Sequence, residues 1–157
     1  CEREGIFFFE DPLSSDFMED SRRLADAVDV PIAGYESQLT RYCMRDYIVH
    51  HGVDIVQVDA IWSGGLTDCR KTACIADTWN KMIIPHFSAG IVSLAANIHL
   101  GMGVGNCRYM EYTLDENPLR DQLGMTRLRM ENGVVKVPDT PGLGVELNED
   151  VLNKYKI

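Results

Sequence analysis

Five short apolar runs in this 157-residue chain each end in an ionisable side chain: Glu10, Glu36, Asp59, His86 and Glu111. The steps between these residues are 26, 23, 27 and 25. Carboxylates gathered at one point suit a hard cation, which prefers oxygen ligands. An imidazole takes up and gives back protons near neutral pH, because its ordinary pKa is about 6.5. Four acids and one histidine that met in space would suit proton transfer beside a developing negative charge. Whether they meet depends on the elements between them.

The pattern along the chain is strand, helix, strand, helix. Residues 6–10 form a short apolar run stopped by Asp11-Pro12. Asp16 is placed to cap a helix whose apolar face uses Phe17, Leu24, Ala25 and Val28. Strands are expected at 30–36, 54–60, 82–87 and 108–112, and helices at 40–50, 66–80 and 91–100. The run 54–60 is apolar nearly throughout, as in a strand buried on both faces. Five strands alternating with four helices imply a parallel sheet with helical crossovers. In a (β/α) TIM-type barrel the strand C-termini share one end, where catalytic residues from several strands collect. A doubly wound sheet places its ligand at one switch point and gives no reason for five strands to end in acids or His. A whole barrel takes about 250 residues. The expected fold is therefore α/β, the C-terminal part of a barrel. Residues 1–122 supply about five βα units. Residues 123–157 form a hairpin around Glu131-Asn132-Gly133, a loop at 138–144 and a short helix capped by Asn148.

Composition narrows the class of protein. A net charge of −9 argues against nucleic acid as a partner, and no apolar run approaches the length of a membrane helix. Cys1, Cys43, Cys69, Cys74 and Cys107 contain no CxxC pair. Reduced thiols in a cytoplasmic setting are expected, since a domain of this size needs no disulfide framework. The chain opens at Cys1 without Met or signal peptide, so it is expected to be a piece of a longer protein.

The ordered set Phe9-Glu10-Asp11-Pro12, Pro31-Ile32-Ala33-Gly34-Tyr35-Glu36, Val58-Asp59-Ala60 with Gly64-Gly65-Leu66-Thr67, Pro85-His86, and Glu111-Tyr112 with Asn117-Pro118-Leu119 resembles the mandelate racemase subgroup of the enolase superfamily. The resemblance spans residues 6–147. It implies that Glu10 and Glu36 are two carboxylate ligands of Mg²⁺. It implies that Asp59 and His86 form an Asp–His dyad, and that Glu111 hydrogen-bonds a substrate carboxylate as it becomes an enediolate. The first metal carboxylate, a Lys motif and an α+β capping domain would lie upstream of residue 1. The implied chemistry is Mg²⁺-dependent abstraction of the proton α to a carboxylate, above all in the dehydration of a sugar acid. Racemisation or epimerisation is the alternative within the class, and a non-catalytic half-barrel the alternative outside it. The expected partners are a small carboxylate, the N-terminal part of the enzyme and further copies in a homo-oligomer.

Other residues read as structural. His99 sits mid-helix among apolar residues. Gly101-Met102-Gly103-Val104-Gly105 follows a helix rather than a strand and reads as a turn. Cys69 and Cys74 lie five apart, off a common helix face. Trp62 and Ser63 lie just beyond Asp59, where substrate contact and wall packing are about equally expected.

Overall fold

The computed structural model describes residues 2–156. After a 3₁₀ turn at Glu2–Glu4 the order is β1 (Phe9–Glu10), α1 (Met18–Ala25), β2 (Ile32–Gly34), α2 (Arg41–Val49), β3 (Ile55–Val56), α3 (Gly65–Thr78), β4 (Met82–Ile83) and α4 (Ile91–Met102). Then come α5 (Pro118–Leu123), β5 (Met130–Glu131), β6 (Val134–Val135) and α6 (Glu149–Tyr155). Strands β1 to β4 form one parallel sheet in chain order, each joined to the next by a helix. This is the expected α/β architecture, with every strand C-terminus at one end of the sheet.

Alternation decides which side chains face which layer. Ile32, Val56, Val58 and Ile83 point outward and pack on Met44 and Ile48 of α2 and on Cys69, Ala73 and Ala76 of α3. Ala33, Ile55 and Ile84 point to the other face, with Phe8 and Met82 against them. Counting on in twos along that inner face reaches Glu10, Gln57, Asp59 and His86. In β2 the count fails at Gly34, whose φ is 150°. Tyr35 goes outward into the helical layer, and Glu36 comes next. A side chain at Gly34 would also run into the Asp11 carboxylate, so glycine is required there by both backbone and space.

Three expectations change. The segment 108–112 is not a strand. Just before it Cys107 makes a single bridge with Ile83 and Asn106 O accepts from Ile83 N–H, and within it Glu111 N–H donates to Pro85 O beyond β4. With no further strand beyond it among the described residues, it forms no ladder on its outer side, so four strands rather than five are regular. Asp16 does not cap α1. Its carboxylate accepts from Ser14 Oγ, and Phe17 occupies the cap position without a side-chain bond. Helix α5 was not foreseen, although Asn117 accepts from Arg120 N–H and Pro118 opens the first turn, both strong start signals. Asn148 caps α6 as expected, and Thr40 caps α2. The hairpin turns at Asn132 and Gly133, both with positive φ.

Residues 123–157 are not set apart. Leu128 shares a core with Phe87, Ile91, Leu94, Ala95 and Ile98, and Val135, Val137, Leu143 and Val145 pack against it. His99 fills the structural role expected of it, with Nε2 3.3 Å from Leu143 O.

Strand β1 is an edge of the sheet. Phe7 is 57 % exposed and Phe9 39 %, and an open apolar edge recruits other chains. Residues 1–157 expressed alone are expected to self-associate. Light scattering checks this, and a monodisperse monomer at high concentration would contradict it.

Candidate active site

Asp59 is fully buried at the end of β3. Its Oδ2 lies 3.0 Å from His86 Nδ1 on the neighbouring strand end. Its Oδ1 accepts from Ile61 N–H at 2.9 Å and from Asn97 Nδ2 at 3.1 Å. Burial alone would raise the Asp59 pKa, but the bonds from His86, Ile61 and Asn97 outweigh it and hold the carboxyl below its usual range. An ionised Asp59 requires the proton of His86 on Nδ1, which leaves the Nε2 lone pair for chemistry. The hydrogen bond to Asp59 raises the His86 pKa; burial opposes it, and the charges of Glu111 and Glu36 add to it.

Nε2 of His86 faces Glu111, with Oε2 3.8 Å away. Glu111 is held by two donors. Gln57 Nε2 reaches Oε1 at 2.5 Å and Phe87 N–H reaches Oε2 at 3.0 Å. Burial pushes its pKa up, against the Phe87 bond and the nearby His86. A carboxyl raised in this way is suited to donating a proton or a short hydrogen bond where negative charge develops.

Glu10 ends β1 and Glu36 follows β2. Glu36 Oε2 is buried without a hydrogen-bond partner. Partial burial and the charge of Glu36 beside it, with that of Glu10, push Asp11 up to about 7. Three crowded acids with one orphaned oxygen make an electronegative corner of hard donors, which fits a divalent cation of the Mg²⁺ kind. Among the described residues, no three His, Cys, Asp or Glu side chains form a ready cage for a metal. Glu10 and Glu36, the two residues expected from the sequence, could contribute to such a site only as part of a larger ligand set.

Trp62 is half exposed, with its ring centroid 6.5 Å from that of His86, so it forms an open wall beside the imidazole. Ser63 is buried and ties two strand ends together, donating to Glu36 O at 3.3 Å and accepting from Asp59 N–H at 3.3 Å. Asn97, Gln57 and Asp11 were missed in the sequence. Asn97 and Gln57 carried a signal, each being a lone amide inside an apolar helix or strand. Asp11 reads in the sequence as a strand stop, which hides its place beside Glu36.

A parallel α/β sheet with helical crossovers carries an acid–histidine pair beyond its carboxyl ends. The chain belongs to the enolase C-terminal domain-like family, whose model matches residues 1–151, and its relatives lie in the mandelate racemase group of the enolase superfamily. It is 39 % identical over 155 residues to the arabinonate dehydratase of Saccharolobus solfataricus, covering 99 % of this chain and 41 % of that protein. It is 32 % identical to the D-galactarolactone cycloisomerase of Agrobacterium fabrum, covering 98 % of this chain and 43 % of the relative. The crystal structure of a mandelate racemase/muconate lactonizing enzyme from Jannaschia sp. superposes with a TM-score of 0.92 at 32 % identity, over 99 % of this chain and 40 % of that one. The chain thus spans about two fifths of the length of the relatives it matches. The structural kinship makes it the C-terminal part of the barrel. No helix among the described residues is long and apolar enough to cross a membrane.

Proposed function

We propose that the protein containing this chain removes the proton α to a carboxylate and dehydrates a sugar acid to a 2-keto-3-deoxy acid, as a hydro-lyase. The observation that carries the reading is the Asp59–His86 pair, with Nδ1 tied to a buried carboxylate and Nε2 turned toward Glu111. The arabinonate dehydratase relative supports the substrate class.

In this reading Glu10 and Glu36 would hold Mg²⁺, which when bound would neutralise charge developing on the substrate carboxylate. His86 Nε2 takes the α-proton, and the C–H electron pair moves into the carboxylate to give an enediolate. Glu111 supports that charge by hydrogen bonding. As the electrons return, the C–O bond at the β-carbon breaks. The imidazolium hands its proton to the leaving hydroxyl, which departs as water. The remaining enol takes a proton at C3 and becomes the 2-keto-3-deoxy acid. Asp59 keeps the imidazole in one tautomer through the cycle. The cycloisomerase relative is compatible with a shared first step and a different fate for the enediolate.

The test is to incubate the full-length enzyme with a panel of sugar acids and Mg²⁺ in deuterated buffer. The expected result is 2-keto acid in a carbonyl assay, with deuterium at the new C3 position. The base must be unprotonated, and the His86 pKa is raised. Activity should therefore climb with pH through a midpoint above the ordinary histidine value of about 6.5. Exchange at the α-carbon with no keto acid would mark a racemase or epimerase. Neither exchange nor keto acid from any member of the panel would overturn the proposal.

A further inference from the structure

We infer that Asn97 is a positioning residue for the Asp59–His86 pair, an inference that rests on reading this pair as the proton-transferring unit. Asn97 lies in the middle of α4 and is fully buried. Its Nδ2 donates to Asp59 Oδ1 at 3.1 Å and to His86 O at 2.9 Å, and its Oδ1 accepts from Ala60 N–H at 2.9 Å. One amide thus grips the acid, the backbone just after the acid and the backbone of the base. It spends both its donors and its carbonyl in doing so. Its buried neighbours in α4 are apolar apart from Ser93, whose Oγ lies a looser 3.4 Å from Nδ2. Asparagine is a poorer helix former than alanine or leucine, and burying an amide costs free energy unless every group is paired. An apolar residue would serve the helix better, so the amide answers to the strand ends.

The consequence reaches the imidazole. With Ile61 N–H, Asn97 occupies Oδ1 of Asp59, so Oδ2 is the oxygen left for His86 Nδ1. That arrangement sets the ring plane, and the bond to His86 O fixes the backbone from which the ring projects. The charged groups around His86 are Asp59 beyond β3, Glu111 from the segment beside β4, Glu36 beyond β2 and Asp11 after β1. Asn97 is the neutral brace among them.

The test uses the full-length enzyme with Asn97→Asp and Asn97→Ala. Asn97→Asp keeps the shape and the acceptor for Ala60, but sets a carboxylate against Asp59. It is expected to lower kcat about 10- to 100-fold with KM within about 2-fold, as for other supporting partners of reacting groups. It should also move the acidic limb of kcat/KM to higher pH, because the extra negative charge holds His86 protonated. Asn97→Ala should lower kcat without moving that limb upward. ¹⁵N spectra of the His86 ring, taken without substrate, read the tautomer independently of turnover and should change in both variants. Parent-like kcat, pH limb and ring spectrum in a folded Asn97→Asp would overturn the assignment. Should that variant not fold, an unaltered ring spectrum and kcat in Asn97→Ala would do the same. Failure of the base reading looks different: His86→Asn would then retain activity while the ring spectra of the Asn97 variants still shift.

Discussion

His86→Asn in the full-length enzyme is expected to abolish α-proton exchange of a bound sugar acid in deuterated water while leaving Mg²⁺ affinity within about 2-fold. A positioned general base contributes about 10²–10⁴-fold, and the asparagine amide has no lone pair of comparable basicity. The metal corner should not notice, because His86 is engaged with Asp59 through Nδ1 and faces Glu111 through Nε2. Asp59 loses one partner but keeps the donors of Ile61 and Asn97. The cost in stability should therefore stay near the lower end of the roughly 1–3 kcal/mol for a buried group left short of a bond. Exchange is followed by proton NMR, affinity by calorimetry and stability by thermal melting. Exchange at the parent rate would sink the dyad assignment, and loss of folding would be caught by the melt.

The positions behind that prediction were legible in the sequence because a βα unit has a narrow length. Acids and histidine recurring every 23 to 27 residues match the length of successive βα units, which places them near the carboxyl ends of neighbouring strands. Register was less legible. Along the sheet Glu10 pairs with Ala33, and Gly34 with Val56. Glu36 therefore lies three residues beyond the ladder partner of Glu10. Strands in a barrel tilt and stagger, and β2 breaks its alternation at Gly34, which no spacing rule anticipates. The fifth strand failed because a strand is defined by its neighbours. Residues 108–112 have the right composition, but they meet β4 on one side only. Helix α5 failed for a different reason. Asn117 and Pro118 cap and open it, but its six residues are too short a run to show a helical period. Asn97 and Gln57 show a further limit: a buried amide announces that it needs partners without naming them.

Glu36→Gln is expected to reverse the pattern of His86→Asn, with metal binding failing first. Glu36 Oε2 is buried and unpartnered, which leaves it open to a cation. The amide preserves the shape and removes one anionic ligand. Mg²⁺ affinity should fall about 10- to 100-fold or more, since Mg²⁺ is held through few carboxylates and loses much with each. Turnover at limiting Mg²⁺ should fall in step and recover partly at high Mg²⁺. The metal-free variant should melt no lower than the metal-free parent, because a carboxylate crowded by Asp11 is exchanged for a neutral group. The rise in melting temperature on adding Mg²⁺ should shrink, since stabilisation by a ligand follows its affinity. Calorimetric titration together with melts at several Mg²⁺ concentrations decides the matter. A parent-like titration would remove Glu36 from the metal site and leave its orphaned oxygen to be explained by the neighbouring Asp11, whose carboxyl is pushed up to about 7.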